Sequence, residues 1–204
     1  MRLLPSGSNA VLVELDNLDE VRALHTALTE DRPAGVIDLV PAARTVLIVV
    51  DPAQTSLTAV EAAILRTTPR RRHTGEGELL EVPVTYDGED LDDVARLLRC
   101  DVAELVRRHT GEEWTVAFCG FAPGFGYLTS ASRSWDVPRR TSPRTRVPAG
   151  AVALAGEFSG IYPRESPGGW QLLGRTDLVP FDLSREPAAL LRPGVRVRFV
   201  AVDQ

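Results

Sequence analysis

Apolar residues recur in two rhythms along the first third of the chain. Positions 10–15 ("AVLVEL") have the apolar bias of a strand. From position 18 the spacing changes: Leu18, Val21, Leu24 and Leu28 fall on one face of a helix, with Asn17 as its N-cap. Two β-branched runs follow, 35–40 ("GVIDLV") and 45–50 ("TVLIVV"), and the short link between them predicts a hairpin. A second helix is expected over 56–66, with Leu57, Val60, Ile64 and Leu65 turned inward. The run 79–86 ("LLEVPVTY") reads as another strand, so the order is β-α-β-β-α-β, a split βαβ or ferredoxin-like arrangement over residues 1–86. The polar, breaker-rich stretch 67–78 ("TTPRRRHTGEGE") is read as a loop or linker.

A helical pair comes next. Residues 91–98 start behind Asp90 as a cap, and 102–108 start behind Asp101 and stop at His109-Thr110-Gly111. After Trp114 the rhythm shortens again. Strand-like runs separated by Gly and Pro predict an all-β barrel or sandwich over the rest of 87–204. The fold class is therefore α+β, an N-terminal α/β domain followed by a β domain.

Composition changes this picture in three ways. With 204 residues, 44% hydrophobic and 25% charged, the chain has material for one large or two small cores. No apolar run reaches the ~20 residues of a membrane span, and the N-terminus has no continuous apolar stretch of a leader, so the cytoplasm is the expected compartment. The net charge of -5 argues against nucleic acid or anionic membrane as a general partner. The chain has no lysine, which removes Walker A, Schiff-base and Ser-Lys chemistries. Two cysteines, Cys100 and Cys119, are too few for a disulfide framework or a zinc site, so no metal site is expected.

Charge is distributed unevenly. Between positions 133 and 175 stand seven Arg against three acids, a segment of +4 within an acidic chain. Part of it, 137–150 ("VPRRTSPRTRVPAG"), holds three prolines that favour an extended, rigid path. Arg139, Arg140 and Arg144 are thus either a solvated basic loop or fixed guanidinium forks for a carboxylate or phosphate. Two Gly-Pro-aromatic stretches flank them: "CGFAPGFGYL" (119–128) and "GIYPRESPGGW" (160–170). Pro123-Gly124 has the type II turn signature, with Phe121, Phe125 and Tyr127 packing beneath it, and Pro167-Gly168-Gly169 reads as a tight turn before Trp170. Both stretches are either plain turns or the rim of a site. His109 either satisfies the last helix carbonyls or acts as a general acid or base near neutral pH. Cys119 reads as a small buried hydrophobe in preference to a nucleophile. His25 and His73 carry no assignment.

The motifs from His109 to Leu178 resemble, in order and spacing, the family of bacterial 5-oxoprolinase B subunits, also called KipI-like or allophanate hydrolase subunit 1. The resemblance implies a ferredoxin-like domain followed by a cyclophilin-like β barrel. It implies two partners, a KipA-like C component and a LamB/YcsF-like A component. With them, ATP (with Mg²⁺, on this chain or a partner) drives the opening of 5-oxoproline to L-glutamate. The positions that match are His109, Pro123, Gly124, Phe125 and Tyr127, then Arg139, Arg140, Arg144, Pro148 and Gly150. Gly160, Tyr162, Pro163, Ser166, Gly168, Gly169, Trp170 and Arg175 complete them. Of these, His109 and Tyr127 suit proton transfer, and Arg144 and its neighbours suit a carboxylate or a phosphorylated intermediate. The N–H groups of Gly168 and Gly169 suit an oxyanion. Two departures stand out: "TSASRSWD" follows Leu128, and Phe158-Ser159 stand where the family often has Gln-Thr. The same family resemblance leaves two other activities open, carboxyl transfer of the urea amidolyase type and inhibition of a sensor histidine kinase.

Overall fold

The computed structural model describes residues 1–70, 78–132 and 134–202. It divides into two compact units, Met1–Thr74 and Gly75–Gln204. His73, Arg133 and most of the predicted linker lie outside the described residues.

The first unit holds strands β1 (Arg2–Pro5), β2 (Ala10–Glu14), β3 (Val36–Pro41) and β4 (Thr45–Val50), with helices α1 (Leu18–Glu30) and α2 (Leu57–Arg66). Asn17 caps α1 through the Glu20 N–H, and Glu20 reaches back to the Asp16 N–H, a reciprocal pair that pins the helix start. The predicted stripe Leu18, Val21, Leu24 and Leu28 is buried. β3 and β4 form the expected antiparallel hairpin. On α2, Val60 and Ile64 are buried but Leu65 is 64% exposed. One residue beyond Ile64 is a turn of ~100° around the helix, which carries Leu65 off the apolar stripe.

The sheet order is β1-β2-β4-β3. The place beside β2 is taken by the N-terminal strand β1, paired antiparallel from Arg2↔Glu14 to Pro5↔Val11. The run 79–86, read above as the closing strand of this arrangement, is elsewhere. Its core, β5 (Leu79–Val84), pairs parallel with the last strand of the second unit, Val82 opposite Phe199. Val82 and Val84 are fully buried there, in a core of which Phe199 is part. That burial decides the placement, because alternation alone does not say which sheet a strand completes.

The second unit adds α3 (Leu91–Leu97), α4 (Val102–Gly111) and strands β6 (Trp114–Cys119), β7 (Gly126–Ser130), β8 (Arg144–Val147) and β9 (Ala151–Ala155). β10 (Phe158–Ile161), β11 (Ser166–Gly168), β12 (Gln171–Arg175) and β13 (Arg196–Ala201) follow. Seven strands form one mixed sheet in the order β12-β9-β10-β7-β6-β13-β5, and β11 pairs β8 separately. Just past β5, Thr85 forms a two-way backbone bridge with Arg175 of β12. The two edge strands thus meet, and the sheet nearly closes into a barrel. Gly174 lies at this seam; a Cβ there would stand 2.2 Å from the Thr85 carbonyl oxygen. The architecture is α+β. Among the described residues no helix is long and apolar enough to cross a membrane.

Candidate functional site

The Gly-Pro stretch after β6 folds as its sequence asks. The Phe125 N–H bonds the Ala122 carbonyl at 3.0 Å across Pro123-Gly124, and Gly124 sits at φ +83°, the value a type II turn requires at that corner. A Cβ on Gly124 would lie 2.4 Å from the Phe181 Cβ, so the turn packs on the 181 segment as well. Phe121 differs from expectation. It adopts φ +66°, rare for a bulky residue, and its ring is 56% exposed, not tucked under the turn.

Behind this turn lies an aromatic cluster centred on Phe125, which is 1% exposed. Its ring centroid is 5.1 Å from Tyr127, 5.4 Å from Tyr162, 5.3 Å from Trp170 and 5.3 Å from Phe121. Tyr127 stacks on Phe118 at 4.4 Å, and Phe158 closes edge-on against both at 5.6 Å. Gly160 gives the rings room: a Cβ there would meet the tip of Phe125 at 2.9 Å. The second stretch is not a tight turn. Ser166, Pro167 and Gly168 form β11, paired irregularly with β8. A side chain at Gly168 is barred because its Cβ would stand 2.2 Å from the Tyr162 hydroxyl oxygen. The Gly169 carbonyl accepts the Arg140 N–H at 2.8 Å, which ties the basic segment to this strand.

The two tyrosine hydroxyls keep their protons at neutral pH. Burial raises both pKa values, against the opposing charge of Arg139, and for Tyr162 also against the Trp170 N–H that it accepts. Burial raises the Cys119 thiol too, and its Sγ–H donates to the Leu191 carbonyl, so this sulfur is not a prepared nucleophile.

The arginines do not act alike. Asp90, predicted as a helix cap, caps nothing with its side chain. Its carboxylate is buried, 1% exposed, and accepts two N–H bonds from Arg144 at 2.9 Å, one from Arg140 at 2.5 Å and the Leu172 backbone N–H at 2.7 Å. Burial alone would raise the Asp90 pKa. The Arg144 and Leu172 hydrogen bonds and the charges of Arg144 and Arg140 outweigh it and hold the carboxyl below its ordinary range. Glu89 takes two further bonds from Arg144. Arg140 and Arg144 are therefore fastened to carboxylates of their own chain, and their forks brace β8 against the α3 start. Arg175 pairs with Asp87, and Arg146 with Glu165 at 2.5 Å. Arg139 is exposed and, among the described residues, has neither hydrogen bond nor ion pair.

His109 is wholly buried in the second unit's core. Its ring stacks on Phe199 at 4.4 Å and is flanked by Trp114 and Trp135. Nδ1 lies 2.7 Å from the Tyr86 hydroxyl and Nε2 3.0 Å from the Ser159 hydroxyl, which is itself 3.3 Å from the Ala153 carbonyl. A carbonyl only accepts, so the consistent assignment runs one way: Tyr86 O–H to Nδ1, Nε2–H to Ser159, Ser159 O–H to Ala153. Burial lowers the His109 pKa to about 3. The ring is neutral, with both nitrogens satisfied. A proton exchanged with a substrate is not what this position offers, and neither is the capping of helix carbonyls by its ring. Ser159, one of the two departures noted above, supplies the hydroxyl that His109 needs.

Of the remaining predicted residues, Gly150 (φ +79°) sits where a Cβ would strike the Thr176 carbonyl oxygen at 2.3 Å, and the Ser166 hydroxyl donates to the Arg164 carbonyl. Both shape the frame around the cluster. Pro123 is exposed on its turn. The structure thus brings Phe125, Tyr127, Tyr162, Gly168, Trp170 and Arg139 together and leaves His109 and Arg175 apart from them. Sequence reading missed Asp90, Glu89, Tyr86 and Ser159 as partners. Their only signal was side-chain chemistry, with the partners 23 to 82 positions away.

A closing sheet of this order carrying a glycine-rich aromatic face defines a class that comparison makes explicit. The family model described as carboxyltransferase domain, subdomain C and D, matches residues 1–191, and the chain belongs to that family. It is similar to the 5-oxoprolinase B subunit of Escherichia coli O157:H7, 38% identical over 170 residues, 81% of this chain and 78% of that protein. It is also similar to the 5-oxoprolinase B subunit of Bacillus subtilis, 43% identical over 129 residues, 62% of this chain. That match spans about half, 54%, of the Bacillus protein. Among solved structures, TTHA0988 superposes with a TM-score of 0.79 at 35% identity, covering 96% of this chain but 40% of that one. The K. lactis urea amidolyase shares the fold, with a TM-score of 0.76 at 19% identity over 98% of this chain and 15% of its own.

Proposed function

We propose that this chain is the B subunit of an ATP-dependent 5-oxoprolinase, which opens 5-oxoproline to L-glutamate with a KipA-like C component and a LamB/YcsF-like A component. The observation that carries this reading is the 38% identity to a 5-oxoprolinase B subunit along 78% of that protein's length. In this reading the first unit is the ferredoxin-like domain, the nearly closed sheet is the cyclophilin-like barrel, and the complex is cytoplasmic. The aromatic face with Tyr127 and Arg139 then faces substrate.

The residues of this chain do not fit a Mg²⁺–ATP site. The chain has no lysine, Arg140 and Arg144 are neutralised by Asp90 and Glu89, and among the described residues no cluster of acids and histidines is arranged to hold a metal. The nucleotide is accordingly assigned to a partner, and this chain's part is to bind and orient the cyclic amide. The test is reconstitution with A and C proteins from the same organism. Glutamate release from 5-oxoproline and ATP that stops when this chain is omitted supports the reading. A well-assembled complex that releases none refutes it.

The family model and the urea amidolyase fold favour a second reading, carboxyl transfer. It requires a biotin carboxylase and a biotinylated carrier from elsewhere, since a chain without lysine is not itself the carrier. Carboxylation of a cyclic amide or urea by such a mixture, with no glutamate formed, would select it.

A further inference from the structure

Among the described residues, three hydrogen-bond donors around the aromatic cluster have nothing to donate to. Arg139 has no acidic partner among the described residues, whereas its neighbour Arg140 and nearby Arg144 are spent on Asp90. The Tyr127 hydroxyl meets no acceptor among the described residues. The Tyr162 hydroxyl, which Gly168 abuts, likewise meets no acceptor among the described residues. The three lie within electrostatic reach of one another. Backbone geometry fixes the grouping: the Arg140 N–H is bonded to the Gly169 carbonyl, which sets Arg139 beside β11, and Gly168 of that strand abuts the Tyr162 hydroxyl. Phe125 lies between the two tyrosine rings, 5.1 and 5.4 Å from them. A guanidinium and two protonated phenols, with no carboxylate to answer them, complement a planar anion. The partly exposed Tyr127 ring and the exposed, strained Phe121 offer an apolar wall beside it.

We propose that Arg139 and the Tyr127 hydroxyl bind the carboxylate of a small ring-bearing acid, with the Tyr162 hydroxyl as a third donor beside them. Arg140 and Arg144 are positioning residues, their guanidinium groups held by Asp90. That the acid is 5-oxoproline rests on the reading above; that the site takes a carboxylate does not.

The test is titration of the full chain, and of its complex with the partner proteins, followed by ligand-detected NMR. Three probes separate the groups: 5-oxoproline, 2-pyrrolidinone (the same lactam without the carboxylate) and cyclopentanecarboxylate (the carboxylate without the lactam). Arg139→Gln is expected to weaken both acids at least tenfold, to leave 2-pyrrolidinone unchanged and to melt as wild type. Arg139→Lys restores part of the loss, and Tyr127→Phe weakens the acids severalfold. Unchanged binding of both acids to Arg139→Gln overturns the proposal. So does 2-pyrrolidinone binding as tightly as 5-oxoproline, or no saturable acid binding to chain or complex. Arg139-dependent binding of cyclopentanecarboxylate alongside a complex that makes no glutamate keeps the site and removes the oxoprolinase reading. Glutamate formation with Arg139-independent binding does the reverse.

Discussion

His109 offers the sharpest quantitative test of the core. In the folded chain its pKa is about 3, against 6.5 for the free side chain. Below pH 6.5 the unfolded chain therefore binds a proton that the folded chain refuses, so stability falls with pH until about 3. One proton corresponds to about 1.4 kcal/mol per pH unit. Two units below 6.5, at pH 4.5, the accumulated loss is roughly 3 kcal/mol. His109→Gln removes this titration. At pH 7.5 the variant is expected to be less stable by roughly 2–3 kcal/mol, because it loses the stacking on Phe199 and part of the Tyr86–Ser159 chain. The gap should then close as pH falls and be nearly gone at pH 4.5. Urea unfolding of both proteins at pH 7.5, 6.5, 5.5 and 4.5, at constant ionic strength, measures it. His25 is present in both proteins, so its own titration, depressed chiefly by burial, cancels in the difference. A gap that stays constant with pH, or a His109 ring that titrates near 6.5 by NMR, would refute both the neutral-core assignment and its exclusion from proton transfer.

Two further perturbations test the frame of the site. Asp90→Asn leaves Arg144 and Arg140 without their buried counter-charge and is expected to cost about 3 kcal/mol, the low end for a broken buried pair because both arginines retain some exposure. Calorimetry should show a melting point lower by roughly 6–12 °C at neutral pH. Because the folded Asp90 pKa is depressed below 3.8, the difference should persist above that pH and shrink as pH falls through and below it; a difference under about 1 kcal/mol at pH 7 would show the pairs to be incidental. Gly168→Ala drives a methyl to 2.2 Å from the Tyr162 hydroxyl oxygen and is expected to cost roughly 1–3 kcal/mol. Adding Tyr162→Phe removes the clashing atom and should restore much of that stability, which chemical denaturation of the single and double variants would show; purely additive losses would contradict the packing described.

Local chemistry was readable directly from the chain. Asn17 and Asp101 cap their helices as their positions announce, Pro123-Gly124 makes the turn its dipeptide specifies, and the 36–50 hairpin pairs as its β-branched runs require. Each depends on residues within a few positions of one another, where periodicity and capping act. The resemblance of 109–178 to a known family rested likewise on motif order. Tertiary structure decided what depended on distant partners. Leu79–Val84 has the alternation of a strand, but only the burial of Val82 and Val84 in the second unit's core and the register against β13 assign it to that sheet. Asp90 looks like a cap, yet Arg140 and Arg144, 50 and 54 positions on, claim its carboxylate, because a buried charge must be paired. His109 looks like an acid–base residue at a helix end, and the aromatic core that closes over it makes it neutral. Arg139 is one of seven similar arginines in the sequence. Folding provides acids for its neighbours Arg140 and Arg144; among the described residues Arg139 and Arg164 have none, and of these two it is Arg139 whose charge acts on Tyr127 and Tyr162.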